Sequence, residues 1–251
     1  MVVRTTQSKR ASPLLPEIAL LRRDICSLSR ECRGSREVQE AFDAASSHEI
    51  REAFAQRFHG HVVAAAKNQH ATHVLQKFIR VLPAESVQFI VDELMESEDS
   101  LIVVACNRHG SRIVQQLLTK CKAPQVSGLT EVLMRHALKL SCHCFGSWVV
   151  QHVIRFGTEQ QLYWLVRMIE RNAGAVCRST PGIGVVAMAI QHASQDDQIW
   201  IARAVFQEPE LPTCMACVPQ GIGAVMRMLQ VLIDCDHISP PCSLHKYIAD
   251  L

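Results

Sequence analysis

Apolar positions recur along this chain at helical spacing. In RHGSRIVQQLL, residues 108–118, the apolar pair Ile113-Val114 follows a glycine, and apolar residues return one turn later at Leu117-Leu118. The pairs Val74-Leu75 and Val149-Val150 sit in the same setting, so each of these stretches reads as a buried helix. Beyond each lies a breaker, Pro83, Pro124 or Gly157, and then a second amphipathic stretch such as ESVQFIVDELM or QLYWLVRMIE. Ahead of it lies a third, as in LIVVACNR. Strand-like alternation bounded by turn pairs is nowhere sustained, so the pattern predicts a unit of three helices.

That unit repeats. The stretches CRGSREVQEAF, QHATHVLQKFI, RHGSRIVQQLL, CFGSWVVQHVI, TPGIGVVAMAI and PQGIGAVMRML align on Gly34, Ala71, Gly110, Gly146, Gly182 and Gly221, spaced by 37, 39, 36, 36 and 39 residues. A helical unit of this period cannot bury its apolar face alone and stacks on its neighbours. The fold expected is an all-α solenoid over residues 17–235, with a basic N-terminal tail at 1–16 and a C-terminal cap or tail at 236–251.

Polar residues recur within the same register: Ser35, Arg36 and Gln39; Thr72, His73 and Gln76; Ser111, Arg112 and Gln115; Ser147, Trp148 and Gln151. Positions i and i+4 share a helical face, so a small hydroxyl residue and a glutamine point the same way four times. Beside them stands a flat group, guanidinium, imidazole or indole. A hydroxyl and an amide can hydrogen-bond a base edge, and a planar cation or ring can stack between bases. The fifth and sixth repeats carry Ile183, Gly184 and Ala187, then Ile222, Gly223 and Met226, at these positions, and so lack an edge-reading group. These two degenerate repeats are expected to cap the stack or to meet a protein.

At these trios the chain resembles the Pumilio (PUF) family of RNA-binding repeat proteins, over roughly residues 20 to 235. The resemblance implies a curved, right-handed α-solenoid of three-helix repeats whose second helices line a concave face. It further implies that each repeat reads one base of single-stranded RNA through the three positions, without catalysis and without a cofactor. In the family, Ser or Cys, Arg and Gln imply adenine, a pattern that Ser35/Arg36/Gln39 and Ser111/Arg112/Gln115 match. Ser147/Trp148/Gln151 changes the stacking residue, and Thr72/His73/Gln76 departs at the first position, leaving its base open. With chain and RNA antiparallel, the implied site is 5′-A-A-N-A-3′. The partners implied are messenger RNA 3′ untranslated regions and proteins on the convex face, and the location is the cytoplasm or, alternatively, the nucleolus. Family members carry eight repeats where six are visible here, and the trios that read the family's usual UGU start are missing. Glu37 stands where an apolar residue is expected.

Bulk charge adds little, since a net +2 and a pI near 8.0 are only weakly basic. Its distribution adds more. Residues 101–122 hold Arg108, Arg112, Lys120 and Lys122 without an acid, while 83–100 hold Glu85, Asp92, Glu93, Glu96, Glu98 and Asp99 without a base. Residues 61–82 repeat the basic pattern with Lys67, Lys77 and Arg80, and 139–157 do so more weakly with Lys139 and Arg155. A basic face turned toward a polyanion is therefore expected, opposite an acidic one.

Eleven cysteines without a small-scaffold spacing fit buried thiols in a reducing compartment. Cys142, His143 and Cys144, and Cys214 and Cys217 with Cys235, His237, Cys242 and His245, are the candidates for zinc, against buried thiols; Cys142 and Cys144 fall where the repeat wants small buried residues. No metal site is expected. His61, His70, His73 and His109 are expected near the concave face. No apolar run reaches membrane-spanning length, and the first sixteen residues, with Arg4, Lys9 and Arg10 and no acid, read as a transit peptide or a solvated tail. No phosphate-cradling loop, nucleophile elbow or paired-carboxylate motif is visible. The rival readings are a helical-repeat protein scaffold of the HEAT or armadillo kind and a ribosome-assembly protein that binds structured RNA without sequence preference.

Overall fold

A computed structural model describes residues 16–235 as helices joined by short turns, with no strand among the described residues. The helices fall into six consecutive groups of three. They are α1 (Pro16–Leu21), α2 (Ile25–Ser29) and α3 (Cys32–Ala44); α4 (His48–Gln56), α5 (Val62–Lys67) and α6 (Ala71–Val81); then a 3₁₀ turn (Glu85–Val87) leading into α7 (Gln88–Leu94), α8 (Glu98–Ala105) and α9 (Gly110–Lys120). The second half continues with α10 (Ala123–Arg135), α11 (Ala137–Ser141) and α12 (Gly146–Phe156); α13 (Glu159–Arg171), α14 (Ala173–Cys177) and α15 (Thr180–His192); and α16 (Gln195–Phe206), α17 (Glu210–Ala216) and α18 (Pro219–Asp234). This is the all-α solenoid expected from the period. Pro16, placed in the tail by the sequence pattern, opens α1. The rest of the expected tail and all of the expected 236–251 cap lie outside the described residues.

Local sequence sets the helix ends. Ser47, Ser97, Thr158 and Ser194 each accept a hydrogen bond from the backbone N–H three residues on, the arrangement that satisfies a free donor of the first turn. Thr158 and Gln161 close this into a reciprocal box. Pro124 is not a breaker outside the helix, as its position suggested. It sits in the first turn of α10, where its missing N–H has no partner to lose, and Pro181 and Pro219 do the same in α15 and α18.

The last helix of each group packs on its counterparts, so α3, α6, α9, α12, α15 and α18 form one continuous layer. Apolar side chains fill the space behind it. Phe42, Phe54, Phe58 and Phe78 are fully buried and meet ring to ring, with Phe42 and Phe78 centroids 5.0 Å apart. The aligned glycines explain how the layers come so close. A Cβ at Gly34, Gly110, Gly146, Gly182 or Gly221 would collide with the carbonyl oxygen of Leu28, Val104, Leu140, Val176 or Met215, in each case the residue six positions earlier. In these five groups the short middle helix thus crosses the start of the last helix at backbone contact.

Successive groups are also stitched by polar contacts. Glu93, expected on a solvated acidic face, accepts hydrogen bonds from the N–H of Gly60 at 2.8 Å and of Val62 at 3.1 Å, holding the turn into α5. Gly60 there has φ +76°, a left-handed conformation that favours glycine.

Candidate nucleic-acid interface

The four sequence trios all fall in the first two turns of α3, α6, α9 and α12, at equivalent positions of adjacent helices. Their exposure is graded. Arg36, His73, Arg112 and Trp148 are exposed, and Trp148 leaves 58% of its surface open. Gln39, Gln76, Gln115 and Gln151 are half-buried. Ser35, Thr72, Ser111 and Ser147 are buried, none more than 3% exposed. The hydroxyls expected to reach a base edge therefore lie beneath the surface of the unbound protein.

The helix wheel accounts for the gradient. At about 100° per residue, the glutamine lies roughly 40° from the hydroxyl residue and the flat residue roughly 100° from it, progressively farther from the apolar stripe. The hydroxyl position borders that stripe: Val114 and Leu118 flank Ser111, and Val114 is fully buried. The sequence held this signal.

Buried, the hydroxyl residues take on internal partners. The Ser35 hydroxyl donates to the carbonyl oxygen of His70 at 2.8 Å, tying α3 to the turn before α6. The Gln39 amide nitrogen donates to the Ser35 hydroxyl at 3.1 Å and to its carbonyl at 3.2 Å. Gln76 donates to the Thr72 hydroxyl at 3.2 Å, and Gln115 to the Ser111 carbonyl at 3.1 Å. Each of these glutamines is thus anchored one turn back through its amide nitrogen, which fixes where its carboxamide oxygen points.

A second device, which sequence reasoning missed, sets the start of these helices. The Asn68 side-chain oxygen accepts from the N–H groups of His70 and Ala71 at 2.8 and 2.9 Å, and Asn107 does the same for His109 and Gly110 at 2.8 and 3.0 Å. In the fourth group His143 takes this place, its Nδ1 accepting from the N–H groups of Phe145 and Gly146 at 3.2 Å each. The signal was an Asn or His three residues before the aligned small residue.

Positive groups converge at the heads of α6 and α9. His109 is held below the ordinary imidazole value, first by burial and then by the charges of Arg108, His73, Arg112 and His70 around it. His61, expected with them, instead precedes α5 and faces Asp24. Between α6, α9 and α12 a hollow of about 650 Å³ brings together Gln76, Arg80, Arg112, Gln115, Lys120 and His152. Two of the expected basic residues leave the set: Lys77 pairs with Asp43, and Lys122 pairs with Glu85 at 3.0 Å. Arg135 pairs with Glu98 and Glu131, so two carboxylates of the acidic run, Glu85 and Glu98, are matched by cations of the following group.

The fifth and sixth groups present Gly184 and Ala187 on α15 and Gly223 on α18 to a hollow of about 810 Å³ walled by Trp148 and Gln151, while Met226 of α18 is exposed. Ile183 is buried, whereas Ile222 is 40% exposed.

Cysteines offer no competing site among the described residues, where no group of three metal-ligating side chains converges. Burial pushes the Cys26 thiol up to about 11 and the Cys177 thiol up to about 12, which keeps both protonated and unreactive. Cys142 and Cys144 are exposed, contrary to the buried places expected for them; the buried residue there is Ser141. Of the other zinc candidates, His237, Cys242 and His245 lie outside the described residues. No described helix is long and apolar enough to cross a membrane.

Three segments, residues 61–95, 101–134 and 136–170, match the Pumilio-family RNA binding repeat. They begin at or near successive middle helices and include the trios at Thr72, Ser111 and Ser147. Over 123 residues, 49% of this chain, the sequence is 28% identical to Pumilio domain-containing protein C6G9.14 of Schizosaccharomyces pombe, and that match spans only 18% of the relative's length. The fold is similar to that of PUF-8 in complex with PBE-RNA, with a TM-score of 0.75 at 21% identity over 85% of this chain and 62% of that one. It is similar also to PUF-6 in complex with 5BE13 RNA (TM-score 0.74, 20% identity, 94% of this chain and 71% of that one). A third likeness is to the Puf4 RNA binding domain bound to the HO endonuclease RNA 3′ UTR recognition sequence (TM-score 0.70, 20% identity, 94% and 78%).

Proposed function

This chain is a divergent member of the Pumilio family, and from that premise we propose that it binds single-stranded RNA along the layer formed by α3, α6, α9 and α12. The observation that carries the reading is the register of the trios. Four adjacent helices each place an exposed flat group next to a half-buried glutamine at equivalent positions. Such a ladder supplies alternating stacking and hydrogen-bonding groups at one repeat's spacing, which a strand of bases can occupy and an irregular protein surface has no need of.

Within this reading Arg36, His73, Arg112 and Trp148 stack between bases. Gln39, Gln76, Gln115 and Gln151 read their edges. Ser35 and Thr72 serve chiefly as braces whose hydroxyls hold Gln39 and Gln76, Ser111 holds Gln115 through its backbone carbonyl, and the burial of all four, Ser147 included, leaves little hydroxyl to offer a base. The preferred site is A-rich, 5′-A-A-N-A-3′, with the base over Thr72 unspecified. Binding to messenger RNA in the cytoplasm, with regulatory proteins recruited on the convex side and no catalysis, completes the proposal.

The test is selection of the purified chain against a random RNA pool, with a Gln115→Ala, Gln151→Ala double variant beside it. A short A-rich motif that the variant loses is the expected result. Enrichment of nothing, or equal enrichment by the variant, overturns base-by-base reading and leaves the groove as a protein scaffold or a non-specific RNA surface.

A further inference from the structure

The two end helices of the continuous layer differ in character. Within the layer the hydroxyl position of each trio is turned toward the following group: the Ser35 hydroxyl reaches the His70 carbonyl, and Ile183 stands 2.9 Å from where a Cβ on Gly221 would lie. Two residues on, about 200° around the helix, is the side turned toward the preceding group. That position holds Val74, Ile113, Val149, Val185 and Ala224, all buried. In α3 it holds Glu37, which is exposed and pairs with Arg23 at 2.7 Å. A charged residue thus replaces the buried apolar one on the outer side of α3, and no large apolar side chain of the first group is exposed among the described residues. A polar outer face of this kind keeps the end of a stack in solution.

The helix at the other end does the opposite. At the hydroxyl and glutamine positions, where α3, α6, α9 and α12 carry Ser or Thr and Gln, α18 carries Ile222 and Met226. Both are turned outward, 40% and 48% exposed. Ile233, two turns beyond Met226, is 50% exposed, and Leu229 lies between them as a buried floor. The four residues are spaced by 4, 3 and 4, the spacing at which paired helices interlock their side chains. Arg227 and Asp234 fall to one side of this stripe, so no charge interrupts it. A contiguous exposed apolar surface marks an interaction site.

We propose that α18 is a homodimer interface, in which two copies of this chain meet across a two-fold axis with their α18 helices antiparallel. The spacing names the occupant. The order 4-3-4 reads the same in both directions, so an axis between Arg227 and Met228 sets Ile222 against Ile233 of the second copy and Met226 against its Leu229, twice over. Charge excludes the head-to-tail alternative, which would bring the apolar stripe against the exposed Glu37 carboxylate of α3 and desolvate it. Two chains joined in this way carry eight trio-bearing helices in one particle, which offsets the small number of base contacts in each. That consequence rests on the RNA-binding reading; the interface itself does not.

The experiment is sedimentation velocity of the full chain without RNA, in reducing buffer, over a concentration series from about 1 to 100 μM. The expected result is a concentration-dependent shift from the mass of one chain to twice that mass. Ile222→Glu and Ile233→Lys, both at exposed positions, are each expected to weaken association by at least about tenfold, since a charge would then be buried against isoleucine. Their circular dichroism and melting should match the parent chain. Mixed in equal amounts, the two variants are expected to associate again, because the antiparallel pairing sets the new carboxylate against the new ammonium and leaves an Ile222–Ile233 pair on the other side. If the parent chain keeps the mass of one chain throughout, the proposal is overturned, and the stripe belongs to residues 236–251 or to a different protein. A dimer that survives Ile222→Glu places the interface elsewhere and overturns it equally. Variants that each stay single and fail to associate when mixed overturn the two-fold pairing.

Discussion

Two side chains on α12 separate recognition from folding. Trp148 leaves 58% of its surface open, while Val150, two residues on, is 3% exposed. Replacing Trp148 with alanine removes an indole that contributes little to the core, so stability should change by no more than about 0.5 kcal/mol, as at other surface positions. If the indole stacks on bases, RNA binding should weaken by about 1 to 3 kcal/mol, a rise in Kd of roughly 5- to 150-fold. Val150→Asp does the reverse. It forfeits about 1.5 to 3 kcal/mol of apolar burial and leaves a carboxylate without a partner in the core, for several kcal/mol more. Together these approach the whole stability of a domain, about 5 to 15 kcal/mol, and in a stack they should melt the fourth repeat together with the packing of α9 and α15 on α12. Thermal unfolding followed by circular dichroism, with anisotropy on an A-rich RNA, reads both quantities from one preparation. An unchanged Kd for Trp148→Ala would refute stacking, and a Tm drop comparable to a core truncation would show that the indole is structural after all.

The two kinds of glycine should answer alanine in opposite directions. Gly110→Ala drives a Cβ into the Val104 carbonyl and should cost about 1 to 3 kcal/mol, whereas Gly223→Ala, with nothing nearby, should stabilise α18 by up to about 1 kcal/mol; denaturant midpoints of the two variants check the signs. His109 gives a pH signature. Its folded value lies below the ordinary one, so the unfolded chain binds more protons between the two, and this contribution to stability is lost as pH falls below about 6.5. Phosphates brought to the Arg108, Arg112 and His109 cluster favour the protonated ring, so RNA affinity should rise as pH falls from neutrality toward that window, and His109→Gln should flatten the slope. A slope that survives the substitution would assign the proton elsewhere.

The solenoid was legible because its signal is carried many times over. The period, the aligned small residue and the apolar pair recur through the chain, and an error in one copy is corrected by the others. In five of the six copies the aligned residue is a glycine that marks a backbone contact whose partner lies only six residues away, within the same repeat. What escaped was information that belongs to one copy or crosses between copies. Glu93 reads as one more acid in a run until the fold brings it under the N–H groups of Gly60 and Val62, from the preceding repeat. Lys122 reads as a groove cation until Glu85 takes it. His143 reads as no more than a candidate for zinc until its ring nitrogen is found where Asn68 and Asn107 cap the sister helices.

The trios lie between these cases. Their existence was visible, but their division of labour was not, because sharing a helical face is a coarser statement than sharing a depth. Hydroxyl, glutamine and flat residue occupy angles that step away from the apolar stripe, so the same wheel that groups them also orders them as brace, reader and stacker. The fifth and sixth repeats follow that order too. In the brace slot Ile183 simply extends the core at 3% exposure, while Ile222 has come out to 40%. In the stacking slot the side chain is deleted at Gly184 and Gly223. An apolar brace with no reader above it has nothing to orient. A deleted stacker leaves open space, since a Cβ at Gly223 would meet nothing within 4 Å and one at Gly184 only the Gln151 side chain.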